Sequence, residues 1–304
     1  MAIAHLLKSH DKDLGGGFTV RRILPAAARP SIGPCLFFDH MGPVEAHAGT
    51  RHDERPHPHI GLATVTYLFE GAIMHRDSLG TAQRIEPGAL NWMTGGSGIV
   101  HSERTPEDLI DQPRRTHGLQ LWAALPREHE EAPAAFSHTP AAQIPEVGFE
   151  GATVRVLVGT AFGQTSPVPT FSHTLYLDVQ LAPGASIDLG GLPEESAVYA
   201  PIGAIEVDGE AIPANTMAMV EPGFPVRVSS RDGARFVLVG GAPLDGRRYI
   251  FWNFVSSSRE RIEQAARDWE AGGFIPVPGD DERIPLPAWP AAWRHDEGER
   301  APIT

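Results

Sequence analysis

Arg55-Pro56-His57-Pro58-His59-Ile60-Gly61 and, further along, Gly98-Ile99-Val100-His101-Ser102-Glu103 are the stretches that decide how this chain folds. Each holds two metal-ligand side chains at i and i+2. In an extended strand successive side chains point to opposite faces, so i and i+2 share a face. His57 and His59 therefore look the same way, and so do His101 and Glu103. If the two strands lie near each other in one sheet or barrel, three imidazoles and one carboxylate converge. That donor set suits a first-row transition metal. Iron(II) in six-coordination would keep two positions open for a bidentate substrate, or for a substrate oxygen and O₂. Copper, nickel, manganese and zinc are alternatives, because intrinsic affinity favours copper or zinc and the donors alone do not select iron.

The sequence around these stretches reads as short strands between Gly and Pro turns. Residues 18–24, 36–43, 63–69, 72–77, 83–85, 89–94, 99–103 and 118–124 are apolar or alternating, with turns at Glu70-Gly71, Ser78 to Gly80 and Glu86-Pro87-Gly88. That pattern predicts a small antiparallel barrel or jelly roll. Residues 126–150 are rich in Pro, Ala and Glu and read as a linker or crossing segment. From 151 the strand rhythm resumes through 236–239, with a hairpin signal at Asp208-Gly209 and a second Glu-Pro-Gly turn at 221–223. The halves share a grammar that reads as duplication of one β-unit. The second half lacks the ligand pairs, so only the first is expected to be metallated. The expected organisation is a metal-binding barrel over 1–130, a crossing segment over 131–150, a second barrel without ligands over 151–255, and a C-terminal helix and tail over 256–304. In that last part Ser257-x-x-Glu260 is a capping box, Ile262, Ala265, Ala266 and Trp269 form one helical face, and Gly272-Gly273 ends the helix.

Bulk properties narrow the function. The chain has 304 residues, 41% of them hydrophobic, with Gly 32 and Pro 28. These numbers fit two domains with real cores and many turns. The net charge of −13 disfavours direct contact with nucleic acid or an anionic membrane, but allows a basic protein partner. The single cysteine, Cys35, excludes an intrachain disulfide framework and a Cys-type zinc site, and reads as buried and inert. The N-terminus is too charged and its apolar run too short for a signal peptide, and no run approaches membrane-spanning length. A cytoplasmic location is the expectation. With 14 histidines in the chain, an isolated pair carries little weight. His40, His47, His52 and His75 are read as surface residues or supports at most. His117 and Gln120 are read as core or surface, facing opposite ways. Gly95-Gly96-Ser97-Gly98 is a turn, since it lacks the ending of a phosphate loop.

Four segments together resemble the pirin family, a branch of the cupin superfamily: Gly33 to Pro43, His57 to Gly61, Gly98 to Glu103 and Gly118 to Trp122. The resemblance spans nearly the whole chain. It implies an all-β fold of two tandem cupin (jelly-roll) barrels with a short C-terminal helix and an extended tail. It also implies iron in the first barrel only, held by His57, His59, His101 and Glu103. Some members resemble quercetinase-type dioxygenases, which open the heterocycle of a flavonol with O₂ and release carbon monoxide. Others are non-enzymatic regulators that bind a protein partner according to the iron oxidation state. The dioxygenase is the leading expectation, a quercetin 2,3-dioxygenase type with Glu103 taking the substrate proton. The sequence departs from the general cupin motif at Ala63 and Thr64, where a glutamate would stand. It departs from the family pattern at Cys35, where an aromatic residue is expected.

Overall fold

The structure, a computed structural model, describes residues 3–13, 19–223, 225–289 and 293. Phe18, which opens the expected 18–24 strand, and most of the tail beyond 289 lie outside the described residues. The chain folds into two β-barrels of matching construction. Each pairs a seven-stranded sheet with a four-stranded one. In the first barrel the large sheet runs Ala135–Thr139, Leu90–Thr94, Leu62–Glu70, Arg114–Ala124, Cys35–Ala46, Thr19–Leu24, His10–Asp13. The small sheet runs Glu54–His59, Ile99–Arg104, Ile73–Asp77, Ala82–Ile85. In the second barrel the large sheet runs Ile3–Lys8, Thr216–Val220, Glu195–Ile202, Ala234–Gly241, Thr174–Leu181, Ala152–Val158, Glu146–Phe149. Its small sheet is Ser186–Leu189, Val226–Ser229, Ile205–Val207, Glu210–Ile212.

Two segments sit elsewhere than the sequence reading places them. Ile3–Lys8, assigned to the first barrel, pairs antiparallel with Thr216–Val220 and forms an edge of the second. The crossing segment 131–150 is divided between the barrels: Ala135–Thr139 pairs with Leu90–Thr94, and Glu146–Phe149 pairs with Ala152–Val158. The reason is edge chemistry. The outer strand of each large sheet would expose unpaired N–H and C=O groups, and a neighbouring segment covers them.

Alternation along the strands divides the apolar residues into two sets. One set fills the barrels. The other, on the outer faces of the large sheets, forms a shared core between them, including Phe38, Val65, Tyr67, Leu119 and Leu121 from the first barrel and Tyr176, Tyr199, Val237 and Val239 from the second. Each fully buried Leu, Val or Phe of this kind is worth about 1.5–3 kcal/mol. Several polar groups inside this interface are paired, although Tyr176 Oη is buried without a partner. Tyr67 Oη donates to Asp178 Oδ2 at 2.6 Å, Arg235 Nε to Asp178 Oδ1 at 2.8 Å, and Arg155 Nη1 to Tyr67 Oη at 2.9 Å.

The C-terminal helix is Arg259–Glu270 and buries the expected Ile262, Ala265, Ala266 and Trp269. Its cap lies one residue later than the motif suggests: Ser258 Oγ accepts from Arg261 N. The tail then straps the outside of the ligand strands. Arg104 Nε donates to Asp280 Oδ2 at 2.7 Å, and Ile284 N to Pro56 O at 2.9 Å.

Candidate metal centre

The small sheet of the first barrel brings the two quoted stretches side by side. Glu54–His59 and Ile99–Arg104 run antiparallel, with His101 opposite His57 and Ile99 opposite His59. The first of these strands is a sheet edge, which is where Pro56 and Pro58, lacking N–H donors, can stand in a strand. On the other side, Ile73–Asp77 places Asp77 opposite His101 and His75 opposite Glu103. Glycine is needed just after the first strand. Gly61 has φ +68°, and a Cβ there would lie 2.0 Å from the Val255 carbonyl oxygen.

The coordinating atoms of His57, His59 and His101 all lie within 4.8 Å of one another, and all three residues are buried. Glu103 does not join that group. It forms a second one with His101 and His75. The structure thus gathers three of the four expected ligands at one point and sets the fourth beside His101, with His75 added. His75 is 2% exposed rather than a surface residue. His40 and His117 are buried too, but on the outer face, at the barrel interface, where His40 Nδ1 meets Tyr199 Oη and His40 Nε2 meets His117 Nε2, each at 2.8 Å.

Three observations make the cluster suit a transition metal. First, His59 Nε2 and His101 Nε2 are 3.0 Å apart. Two imidazoles bonded at about 2.1 Å and roughly at right angles about one ion would place their nitrogens about 3 Å apart. Second, His57 Nδ1 lies 2.8 Å from the Arg55 carbonyl oxygen. A carbonyl only accepts, so Nδ1 carries the proton and Nε2 keeps its lone pair. Third, burial, with help from the neighbouring imidazoles, holds His59 and His101 well below the ordinary histidine range, so both are neutral donors. The Asn253 backbone pulls His59 the other way without closing a hydrogen bond of good geometry, and His59 Nδ1 is buried without a partner.

Glu103 is held by the facing sheet. Thr66 Oγ1 lies 3.1 Å from Glu103 Oε1 and 2.9 Å from Gln120 Oε1. One hydroxyl proton cannot serve both. With the Gln120 amide turned to present its NH₂, a chain runs from Gln120 through Thr66 to Glu103. Burial pushes the Glu103 carboxyl up to about 7, the Glu54 carboxylate adds to this, and the Thr66 bond opposes it. Aromatic rings line the surroundings. Trp122 stands edge-on to His59 at 5.3 Å, Phe37 stacks on Trp122 at 4.0 Å, and Phe136 stacks on His75 at 4.4 Å. Cys35 is buried and its thiol pushed up to about 12 by burial, so it is inert.

The second barrel shows what this small sheet looks like without donors. The strands in the places of the two ligand strands are Ser186–Leu189 and Val226–Ser229, and their buried residues are Ile187, Leu189, Val226 and Val228. Apolar packing replaces the histidines, and among the described residues both groups able to hold an ion lie in the first barrel.

Two barrels of cupin type, with a polyhistidine centre in one of them, define a bicupin. This chain belongs to the pirin family: the Pirin model matches residues 17–123 and the Pirin C-terminal cupin domain matches residues 176–275. It is similar to a pirin-like protein of Caulobacter vibrioides, 46% identical over 91% of this chain and 96% of that protein. It is also similar to human Pirin, 33% identical over 86% of this chain and 89% of that protein. Among solved structures, a quercetin 2,3-dioxygenase from Acinetobacter baumannii is 32% identical and superposes with a TM-score of 0.88 over 94% of this chain and 96% of that one. No helix among the described residues is long and apolar enough to cross a membrane.

Proposed function

We propose that the first barrel is the active site of an iron-dependent dioxygenase that opens the heterocycle of a flavonol-type substrate, as in quercetin 2,3-dioxygenases. The observation that carries this reading is the convergence of His57, His59 and His101, whose coordinating atoms lie within 4.8 Å of one another, with Glu103 beside them. The likeness to the Acinetobacter baumannii quercetin 2,3-dioxygenase supports it. A divalent iron held there would supply Lewis-acid binding of the substrate oxygens and the redox partner for O₂. The chain supplies the rest. His57, His59 and His101 offer Nε2 lone pairs, and Glu103 offers a carboxylate. Glu103 accepts the proton of the substrate hydroxyl, a role open to a carboxylate beside the histidine cluster. Thr66 and Gln120 fix its orientation. Trp122, backed by Phe37, and Phe136 give the surroundings an aromatic character that suits an aromatic substrate.

Metal analysis of the purified protein, followed by oxygen uptake with quercetin under air, tests this. Stoichiometric iron and flavonol-dependent uptake are expected. His57→Ala and His101→Ala are each expected to lose metal and turnover together, by at least about 100-fold, since even supporting residues of a metal site cost about 10–100-fold. Normal turnover in an iron-free variant would overturn the reading. Bound iron with no uptake from any flavonol would favour the non-enzymatic regulator.

A further inference from the structure

We propose that His75 and Asp77 are positioning residues that lock the tautomer of His101, leaving its Nε2 lone pair free for a cation. The inference rests on the metal reading above and on the direction of four hydrogen bonds. Asp77 begins the chain. Its Oδ1 accepts from the backbone N–H groups of Leu79 and Thr81 at 2.9 and 3.1 Å, which ties the carboxylate into the turn. Its Oδ2 lies 2.9 Å from His75 Nε2. A carboxylate only accepts, so His75 carries its proton on Nε2 and its Nδ1 is bare. That bare Nδ1 lies 3.4 Å from His101 Nδ1, a long but permissible hydrogen bond. Only His101 can be its donor. The His101 proton is therefore held on Nδ1, and Nε2, on the other side of the ring, points bare toward His59 Nε2.

The strand register builds this geometry. Asp77 stands opposite His101, and His75 opposite Glu103, so both face the same interior as the candidate ligands. Phe136, stacked on His75 at an interplanar angle of 20°, fixes the plane in which the imidazole can bond. His57 reaches the same tautomer through the Arg55 carbonyl. These two imidazoles are thus prepared in different ways, and the His101 device costs two buried polar residues, each of which has a partner. Unpaired, His101 could place its proton on Nε2, and a cation would have to displace it.

The test substitutes Asp77→Asn. The amide oxygen of the introduced side chain can still accept from Leu79 and Thr81, but its NH₂ group now faces His75 Nε2. His75 must then accept there and carry its proton on Nδ1, which turns His101 the wrong way. Cobalt(II), followed by calorimetry and by its visible spectrum, is expected to bind this variant about 10–100-fold more weakly than the full-length native protein. The metal-free melting temperature should stay close to native. Long-range ¹H–¹⁵N spectra of the metal-free native protein should show the His101 proton on Nδ1, and those of Asp77→Asn should show it on Nε2. Native His101 protonated on Nε2, or unchanged cobalt affinity in Asp77→Asn, would overturn the proposal. So would a loss in His75→Leu as large as in His57→Ala together with a cobalt spectrum of one imidazole fewer, because His75 would then be a ligand. If the native protein takes up no cobalt, iron or nickel, the metal reading fails, whereas the native tautomer spectrum still decides the hydrogen-bond chain. The same spectrum decides it if Asp77→Asn does not fold.

Discussion

At the scale of single residues, the carboxyl of Glu103 is the group whose chemistry is most exposed to its neighbours. Thr66 lowers its pKa by donating a hydrogen bond, so removing that donor must raise it. One such bond is worth about 1 kcal/mol, equivalent to roughly 0.7 of a pKa unit. Thr66→Val is therefore expected to move the acidic limb of the pH–rate profile to higher pH by about that amount. An acidic limb that stays in place would show that Glu103 is not the proton acceptor. The convergence of His57, His59 and His101 is legible in the sequence because the i, i+2 spacing of a strand is a local property, whereas the place of Glu103, beside His101 and His75, is not. His75-x-Asp77 has the same spacing on the neighbouring strand, yet it reads as surface. A single His-x-Asp carries no weight until the register sets it opposite Glu103 and His101. Gln120 is similar: its parity away from His117 is readable, but its contact with Thr66 depends on which strands are neighbours.

At the scale of elements, the ligand strands are backed by the strands Tyr249–Phe251 and Phe254–Ser256, the C-terminal helix and the tail. Arg104 immediately follows Glu103 and grips Asp280 with two nitrogens, at 2.7 and 2.6 Å. The pair is partly buried, so it is worth more than a surface ion pair, about 1–2 kcal/mol. Arg104→Ala should release the segment around 275–289, seen as faster proteolysis there with only a small change in overall melting. Unchanged cleavage would mean that the Trp289–Phe251 stack and the Ile284–Pro56 bond hold the tail without it. Gly61→Ala acts on the same packing with the opposite reach. The clash with the Val255 carbonyl, added to the unfavourable φ, should cost at least about 2–4 kcal/mol and lower the melting temperature of the whole protein. The strands, the turns and the buried helix face were readable because their signals lie within a few residues. The exchange at the sheet edges was not. Ile3–Lys8 pairs with residues more than two hundred positions away, and nothing in its own sequence names that partner.

At the scale of the whole molecule, the two barrels share one core, and buried polar groups cross it. His40 from the first barrel meets Tyr199 from the second, and its other ring nitrogen meets His117. Burial, with the facing His117 and Arg21, lowers His40 to about 3; burial, with Arg115, Arg235 and Arg21, lowers His117 to about 4. In the unfolded chain both would titrate near 6.5. Between pH 6.5 and 4 the unfolded state therefore binds protons that the folded state does not, and stability falls as the pH falls. The sign is that of a depressed histidine: the contribution is complete above 6.5 and is lost on acidification toward the folded values. Each such histidine contributes a slope of up to about 1.4 kcal/mol per pH unit in that window. The candidate ligand histidines add slopes of their own, so the comparison must be made at equal metal loading. A His40→Gln, His117→Phe double variant, measured by denaturant unfolding from pH 7 to 5, should show a shallower loss of stability than the native protein. It should also be less stable at pH 7, where Tyr199 has lost its native partner. Equal slopes in the two proteins would mean that the interface histidines titrate alike in the folded and unfolded chains, and the acid sensitivity would then come from other groups, the candidate ligand histidines among them.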